Sequence, residues 1–370
     1  MELPFILHHY SLICAFLLSV ILTSLSIKPA QQLGWVDRPG DRKHHHHPAP
    51  LTGGITMCIA FCLSWLLLPE KPHAYTMLLT GMVLLTLIGI YDDLHSSRPV
   101  TRLLFQAGAV VLVAFQGEII LRDLGNLFGL GIVELGWVAI LFTIFSIVGV
   151  INAFNMIDGL DGLAGGLALI ATGWLIALNL MAPVPDTHAG HALLTLMMVI
   201  AGFLCFNLRH PWRTHACVFM GDAGSTMIGF ALGWFMVHLS QSNENRAAIM
   251  TPMTAIWILA LPLLDTIAIM VRRIRTGQSP FAADRQHLHH LLLHYGLPDG
   301  QVTLILLIAA ILTGAAGATA NWLDVPEYFQ FYAFVAVFML YYYATHRLWM
   351  QRCGLNGEDP RSETKPWLRP

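Results

Sequence analysis

The sequence predicts an all-α, polytopic integral membrane protein of about eleven transmembrane helices, with its active site on the cytoplasmic face. Of 370 residues, 56% are hydrophobic and only 11% are charged, against roughly 25% charged in ordinary soluble domains. Apolar runs of roughly twenty residues, enough to cross ~30 Å of hydrocarbon as a helix, recur along nearly the whole chain. The positive charge is also sorted between alternate loops, as expected of a chain threaded repeatedly through a bilayer.

The first run, 4–26, follows Glu2 with no Lys or Arg before it. That places the N-terminus outside and argues against a cleaved signal peptide, whose start is basic. Further runs fall at 51–68, 74–91, 102–120, 135–151 and 162–182, then at 191–208, 223–239, 249–271, 301–320 and 328–348. Threaded in order, they put Lys28, Arg38, Arg42, Lys43, Arg98, Arg102, Arg209, Arg213, Arg272, Arg273, Arg275, Arg285 and a basic tail from Arg347 on one side. Only Lys71, Arg122 and Arg246 fall on the other. The first side is then cytoplasmic. With no internal repeat or long soluble insertion, residues 1–350 read as one transmembrane domain and 351–370 as a short cytoplasmic tail. A net charge of -2 gives no ground for nucleic-acid binding. The six cysteines lack metal-finger spacing and mostly lie in apolar runs, so they read as small core residues.

Nearly all candidate chemistry falls in five cytoplasmic loops: 28–50, 92–101, 152–161, 209–222 and 272–300. Asp92 and Asp93 end the third run. Adjacent helical residues point about 100° apart, so the pair suits two partners better than one chelate; a solvated helix end is the plain alternative. Asn152, Asn155, Asp158 and Asp161 recur every three residues, which places successive members on neighbouring sides of one helical face. Their oxygens suit Mg²⁺ or Mn²⁺ rather than zinc. The two Asp-Gly pairs could be simple turns, which would leave the asparagines unexplained. Asp222 opens a span among Gly221, Ala223, Gly224 and Ser225, either as a helix N-cap or as part of a phosphate site at a helix N-terminus. His287, His289, His290 and His294 follow Arg285, a pattern that serves a diphosphate clamp at least as well as a metal site. Lys43 and His44 open a four-histidine run. Asp265, inside a span, reads either as a carboxylate satisfied by packing or as a wall of the site, the first with a slight edge.

Taken in order, DRPGDRKHHHHPAPLTGGI (Asp37 to Ile55), Asp92 with Asp93, NAFNMIDGLDG, FMGDAGS and DRQHLHH resemble the polyprenyl-phosphate N-acetylhexosamine-1-phosphate transferase family, and most of all its branch that uses UDP-GlcNAc. The resemblance spans nearly the whole chain. It departs from the family pattern at Leu288 and in the extra histidines after His44. A related transferase for UDP-MurNAc-pentapeptide shares the aspartates, but its final histidine motif differs.

The resemblance implies transfer of GlcNAc-1-phosphate from UDP-GlcNAc to undecaprenyl phosphate with release of UMP, as the first membrane step of a cell-surface polysaccharide in a bacterial inner membrane. It implies Mg²⁺, with Mn²⁺ as a substitute, held by Asp222 and Asn155. Asp92, Asp93, Asp158 and Asp161 take catalytic or shaping roles; Lys43, His44, Asn152, Asn155, Arg285, His287, His289 and His290 bind substrate. Its partners are UDP-GlcNAc, undecaprenyl phosphate and membrane lipid; a homodimer is compatible with the sequence. Two rivals remain in view. A transporter would carry its carboxylates near the bilayer midplane in broken helices, and a CDP-alcohol phosphotransferase would carry a differently spaced DG motif.

Overall fold

The computed structural model describes residues 3–37, 49–68, 72–95, 97–210, 213, 215–243, 246–279 and 287–355. Lys43, His44 and Arg285 lie outside the described residues. In chain order the helices are α1 (Leu3–Gln32), α2 (Gly53–Leu66), α3 (His73–His95), α4 (Pro99–Gly117), α5 (Ala139–Ile157), α6 (Leu163–Met181) and α7 (Thr187–Asn207). They continue as α8 (Gly221–Ser240), α9 (Pro252–Ile258), α10 (Ala260–Arg275), α11 (Leu288–His294), α12 (Asp299–Trp322) and α13 (Glu327–Leu355). Two short strands, β1 (Val36–Asp37) and β2 (Ala49–Pro50), pair antiparallel, Val36 opposite Pro50.

Among the described residues, eight helices are long and apolar enough to cross a membrane, or nine spans if α9 and α10 count as one. The polytopic all-α reading holds, while the described residues show eight or nine of the eleven spans expected. The run at 51–68 yields only the 14-residue α2. The run at 328–348 yields a long helix, α13, whose Tyr341 to Tyr343, Thr345, His346 and Arg347 dilute its apolar character. The run at 249–271 is no straight span, because α9 and α10 meet at 84°. Pro262 supplies a reason: it has no N–H for the Ile258 carbonyl and its ring crowds that carbonyl. Helical bonding restarts one residue on, with Leu263 N donating to the Leu259 carbonyl at 3.2 Å.

α8 is the axis of the bundle, with 94% of its apolar window buried, packed against α2, α3 and α5. In lipid the hydrophobic effect does little to press helices together, so close approach through small residues does the work. Gly229 and Gly233, four apart on α8, meet α5: a Cβ on Gly229 would lie 2.7 Å from the Ile151 Cα. Gly81 of α3 makes room for Phe230, whose ring would stand 2.2 Å from an added Cβ.

This packing gathers the described parts of the five polar loops at one end. Phe219 N donates to the Pro50 carbonyl at 2.8 Å, and Gly53 N and Gly54 N donate to the Phe219 and Met220 carbonyls. The β1–β2 stem of the Lys43/His44 loop is therefore fastened beside the start of α8. At the opposite end Asp186 caps α7 through Ala189 N and accepts from His238 Nε2 at 3.1 Å, with Tyr75 and Arg246 close by.

Candidate active site

The site grows from the start of α8. A Cβ on Gly54 would meet Gly224 N at 2.1 Å, and one on Gly89 would meet the Ala223 Cα at 2.3 Å. Two bare glycines, from α2 and α3, thus let the first turn of α8 lie backbone to backbone between them. Asp222 is held in place by this wedge.

Asp92 and Asp93 serve different partners, as their 100° separation predicts. Asp92 is buried; its Oδ1 accepts from Ser97 N at 2.8 Å and from the Ser97 hydroxyl, and its Oδ2 accepts from Arg102 Nη1 at 3.1 Å. Asp93 accepts from Asp222 N at 2.9 Å and Ala223 N at 3.3 Å. The cap of α8 therefore comes from α3, and the N-cap reading of Asp222 is corrected. The α8 amides expected to meet a phosphate are already bonded to Asp93. Gly221, at φ 69°, makes the turn possible, since a Cβ there would press on the Asp93 carboxylate at 2.8 Å.

Freed from capping, Asp222 turns into the site. Its Oδ1 accepts from Asn155 Nδ2 at 2.5 Å, and its Oδ2 lies 3.9 Å from Arg102 Nη1. Arg102 thus lies between Asp92 and Asp222. Asn155 also donates to Ser225 Oγ at 3.0 Å.

The expected single helical face from Asn152 to Asp161 is only half formed. α5 ends at Ile157, so Asp158 and Asp161 lie in the loop to α6. Asn152 turns from Asp222 toward α4, donating to Gln106 Oε1 at 2.8 Å. Asp161 accepts from Arg209 Nε at 2.7 Å and Ala216 N at 3.0 Å, and Arg209 reaches on to Asp299 at 2.8 Å. Its carboxylate ties the α5–α6 loop to the α7–α8 loop, and Arg209 extends the link to the start of α12. Asp158 is partly buried, and burial, followed by the charges of Asp222, Asp93 and Asp161, pushes its carboxyl up to about 7.

The histidines arrive from the far side. Both His287 and His289 are buried; their rings stack at 5.5 Å, and His290 stands 4.2 Å from His289. His289 rests on Gly159, where a Cβ would come within 2.5 Å of Nε2. The array therefore abuts the Asp158 loop. His287 Nδ1 meets Asp265 Oδ2 at 2.8 Å. Arg102, Gln106 and Tyr341 complete the polar neighbourhood. Arg102 was legible as a basic neighbour of Asp92, whereas nothing in the sequence pointed to Gln106 or Tyr341.

Asp222 accepts from the Asn155 amide nitrogen, and its own carboxylate oxygens are ligands of the kind a hard divalent cation prefers. Among the described residues, Asp92 and Asp222 share Arg102, so a cation fits the charge there. Among the described residues no three His, Cys, Asp or Glu side chains come close enough to cage an ion.

Fold and site define a multi-span membrane protein with one polar, carboxylate-rich centre at the end of its bundle. Residues 75–240 match the model of the family described as Glycosyl transferase family 4. The undecaprenyl-phosphate alpha-N-acetylglucosaminyl 1-phosphate transferase of Pasteurella multocida is 38% identical over 342 residues, covering 92% of this chain and 94% of that relative. Those of Escherichia coli K12 (35% over 343 residues; 91% of both chains) and Haemophilus influenzae (35% over 333 residues; 90% and 92%) are similar too. The chain belongs to this transferase family, and it is a phosphosugar transferase.

Proposed function

We propose that the protein transfers GlcNAc-1-phosphate from UDP-GlcNAc to undecaprenyl phosphate, forming undecaprenyl-diphospho-GlcNAc and UMP at the cytoplasmic face of a bacterial inner membrane. The observation that carries the reading is the meeting of Asp92, Asp222, Asn155 and Asp158 at one end of an apolar bundle. The names and identities of the relatives supply the substrates. A transporter would spread its carboxylates along a path through the bilayer. The one broken span does carry Asp265, but His287 and Tyr341 occupy that carboxylate.

In this reading an acceptor phosphate oxygen attacks the β-phosphorus of UDP-GlcNAc, and the bond to the bridging oxygen breaks, UMP leaving with the electron pair. A phosphate monoester with its second pKa near ~6 is already largely a dianion at neutral pH, so no obligatory base is needed. Asp222, with the Asn155 amide oxygen, would hold Mg²⁺. When bound, the ion would neutralise charge on the diphosphate. Asp92 with Arg102 faces the lipid phosphate, and Asp93 fixes the start of α8. Asp158 lines the nucleotide side, and Asp161 holds the surrounding loops. Arg285, His287, His289 and His290 receive the diphosphate, and Lys43 and His44 bind substrate. The product would begin a cell-surface polysaccharide.

The test separates direct attack from a covalent aspartyl intermediate. Wild-type protein given labelled UDP-GlcNAc releases UMP only when undecaprenyl phosphate is present. Asp92→Asn slows turnover but recovers rate as pH rises. A stoichiometric UMP burst without acceptor, lost in Asp92→Asn, would overturn direct attack.

A further inference from the structure

Asp265 sits in α10, six residues past the break at Leu259, and is 3% exposed. A carboxylate in such surroundings is costly unless every lone pair meets a donor. Its donors all come from other elements. His287 Nδ1 lies 2.8 Å from Oδ2; Leu288 N reaches Oδ1 at 3.0 Å and the Tyr341 hydroxyl reaches it at 2.7 Å. One side chain therefore joins the broken span, the entry to α11 and the final helix α13.

The attachment acts on His287 twice. Leu288 N fixes the backbone just after it, where His287 is the residue entering α11 with φ -65° and ψ 154°. The bond to Nδ1 fixes the ring. With Nδ1 held on a carboxylate, Nε2 is the ring nitrogen left for a ligand. A ring nitrogen fixed in this way is a directed hydrogen-bonding partner for a phosphate oxygen. Stacking carries the orientation onward: His289 lies within 12° of parallel to His287 and rests on Gly159, next to Asp158.

We propose that Asp265 is a positioning residue of the transfer reaction: held by Tyr341, it fixes His287 through Nδ1 so that Nε2 is presented to the diphosphate of the sugar nucleotide. The inference rests on the transferase reading above. A carboxylate serving only packing would be replaceable by any group that fills its space.

Steady-state kinetics on the full chain in detergent, with UDP-GlcNAc and undecaprenyl phosphate varied separately, test it on Asp265→Asn, Asp265→Glu, His287→Ala and the Asp265→Asn/His287→Ala double variant. Wild type must first release UMP in an acceptor-dependent way; if it does not, the transferase reading falls, and this role with it. Given that activity, Asp265→Asn lowers kcat by about 10- to 100-fold, the usual cost of losing the carboxylate behind a functional histidine. The KM for undecaprenyl phosphate stays within about twofold of wild type, and Asp265→Glu, which keeps the charge, recovers part of kcat. In the His287→Ala background, Asp265→Asn costs less than about threefold more. Losses that multiply in the double variant would overturn the proposal and leave the transferase reading intact. So would a lowered melting temperature with kcat unchanged. If Asp265→Asn does not fold, Tyr341→Phe decides: it slows wild type severalfold and leaves His287→Ala unaffected, whereas an equal loss in both backgrounds overturns the role.

Discussion

Asp222 is useful because another residue does its local job. Asp93 satisfies the first amides of α8, so Asp222 points at Asn155 and Arg102 instead of at its own helix. The expected outcome for Asp222→Asn is loss of transfer with a melting temperature close to wild type, since the amide keeps the shape and loses the charge a divalent ion needs. Activity measured across a Mg²⁺ titration checks it; a wild-type Mg²⁺ dependence in the variant would remove Asp222 from the ion's site. Asp92, Asp93, Asn155 and Asp222 were all legible in the sequence as polar residues at the ends of apolar runs. Their partners were less so. Which residue capped α8 depended on a contact across 129 positions, and Tyr341 meets Asp265 across 76. Hydropathy and spacing report on neighbours in the chain and say nothing of such pairings. Asn152 shows the limit well: its helical spacing from Asn155 was right, yet it pairs with Gln106 on α4.

At the scale of elements, the first turn of α8 is set by glycines. Gly54→Ala should destabilise the protein by about 1–3 kcal/mol, the usual range for overpacking a tight contact, because the new methyl would face backbone atoms of Gly224 that have nowhere to go. Thermal unfolding in detergent checks the loss of stability. Transfer should fall more than stability alone explains, since the displaced backbone carries Asp222; unchanged kcat in the folded fraction would contradict the wedge. Most helices appeared close to their expected places because long apolar runs are the strongest signal a sequence carries. The errors have local causes. Pro262 announced the break between α9 and α10, but uniform hydropathy across 249–271 masked it. Asp158 and Asp161 kept the helical spacing of three although α5 ends at Ile157 and Gly162, at φ 76°, caps the start of α6.

Across the whole molecule, the two ends of the bundle answer pH in opposite directions. At one end, burial and neighbouring carboxylates hold Asp158 up near about 7, so its charged form opposes folding. Its contribution to stability is complete below an unfolded value near ~4 and is lost as pH rises through about 7. At the other end, burial of Asp186 is outweighed by the His238 hydrogen bond, the Ala189 amide and Arg246, which pull its carboxyl down to about 2. Its contribution is present above ~4 and lost as pH falls toward about 2. In EDTA the melting temperature should therefore decline from pH 5 to pH 8, and added Mg²⁺ should raise it most at pH 8. Asp158→Asn should flatten that decline; a slope unchanged in the variant would assign it to other groups.

The cap that Asp93 provides also bears on the order of events in turnover. Fixed backbone amides could have received an anion without any cation, but those of Asp222 and Ala223 already face a carboxylate. At the α8 side of the site a nucleotide diphosphate arriving alone would meet Asp92, Asp158 and Asp222, with Arg102 between two of them, so the arginine and histidines proposed to receive it would work against three carboxylates. Rate should then follow the concentration of the Mg²⁺·UDP-GlcNAc complex and not that of total nucleotide, with the free nucleotide neither a substrate nor a strong competitor. Initial rates measured at fixed complex and rising free UDP-GlcNAc should stay level, and marked inhibition there would show that the free nucleotide binds unaided.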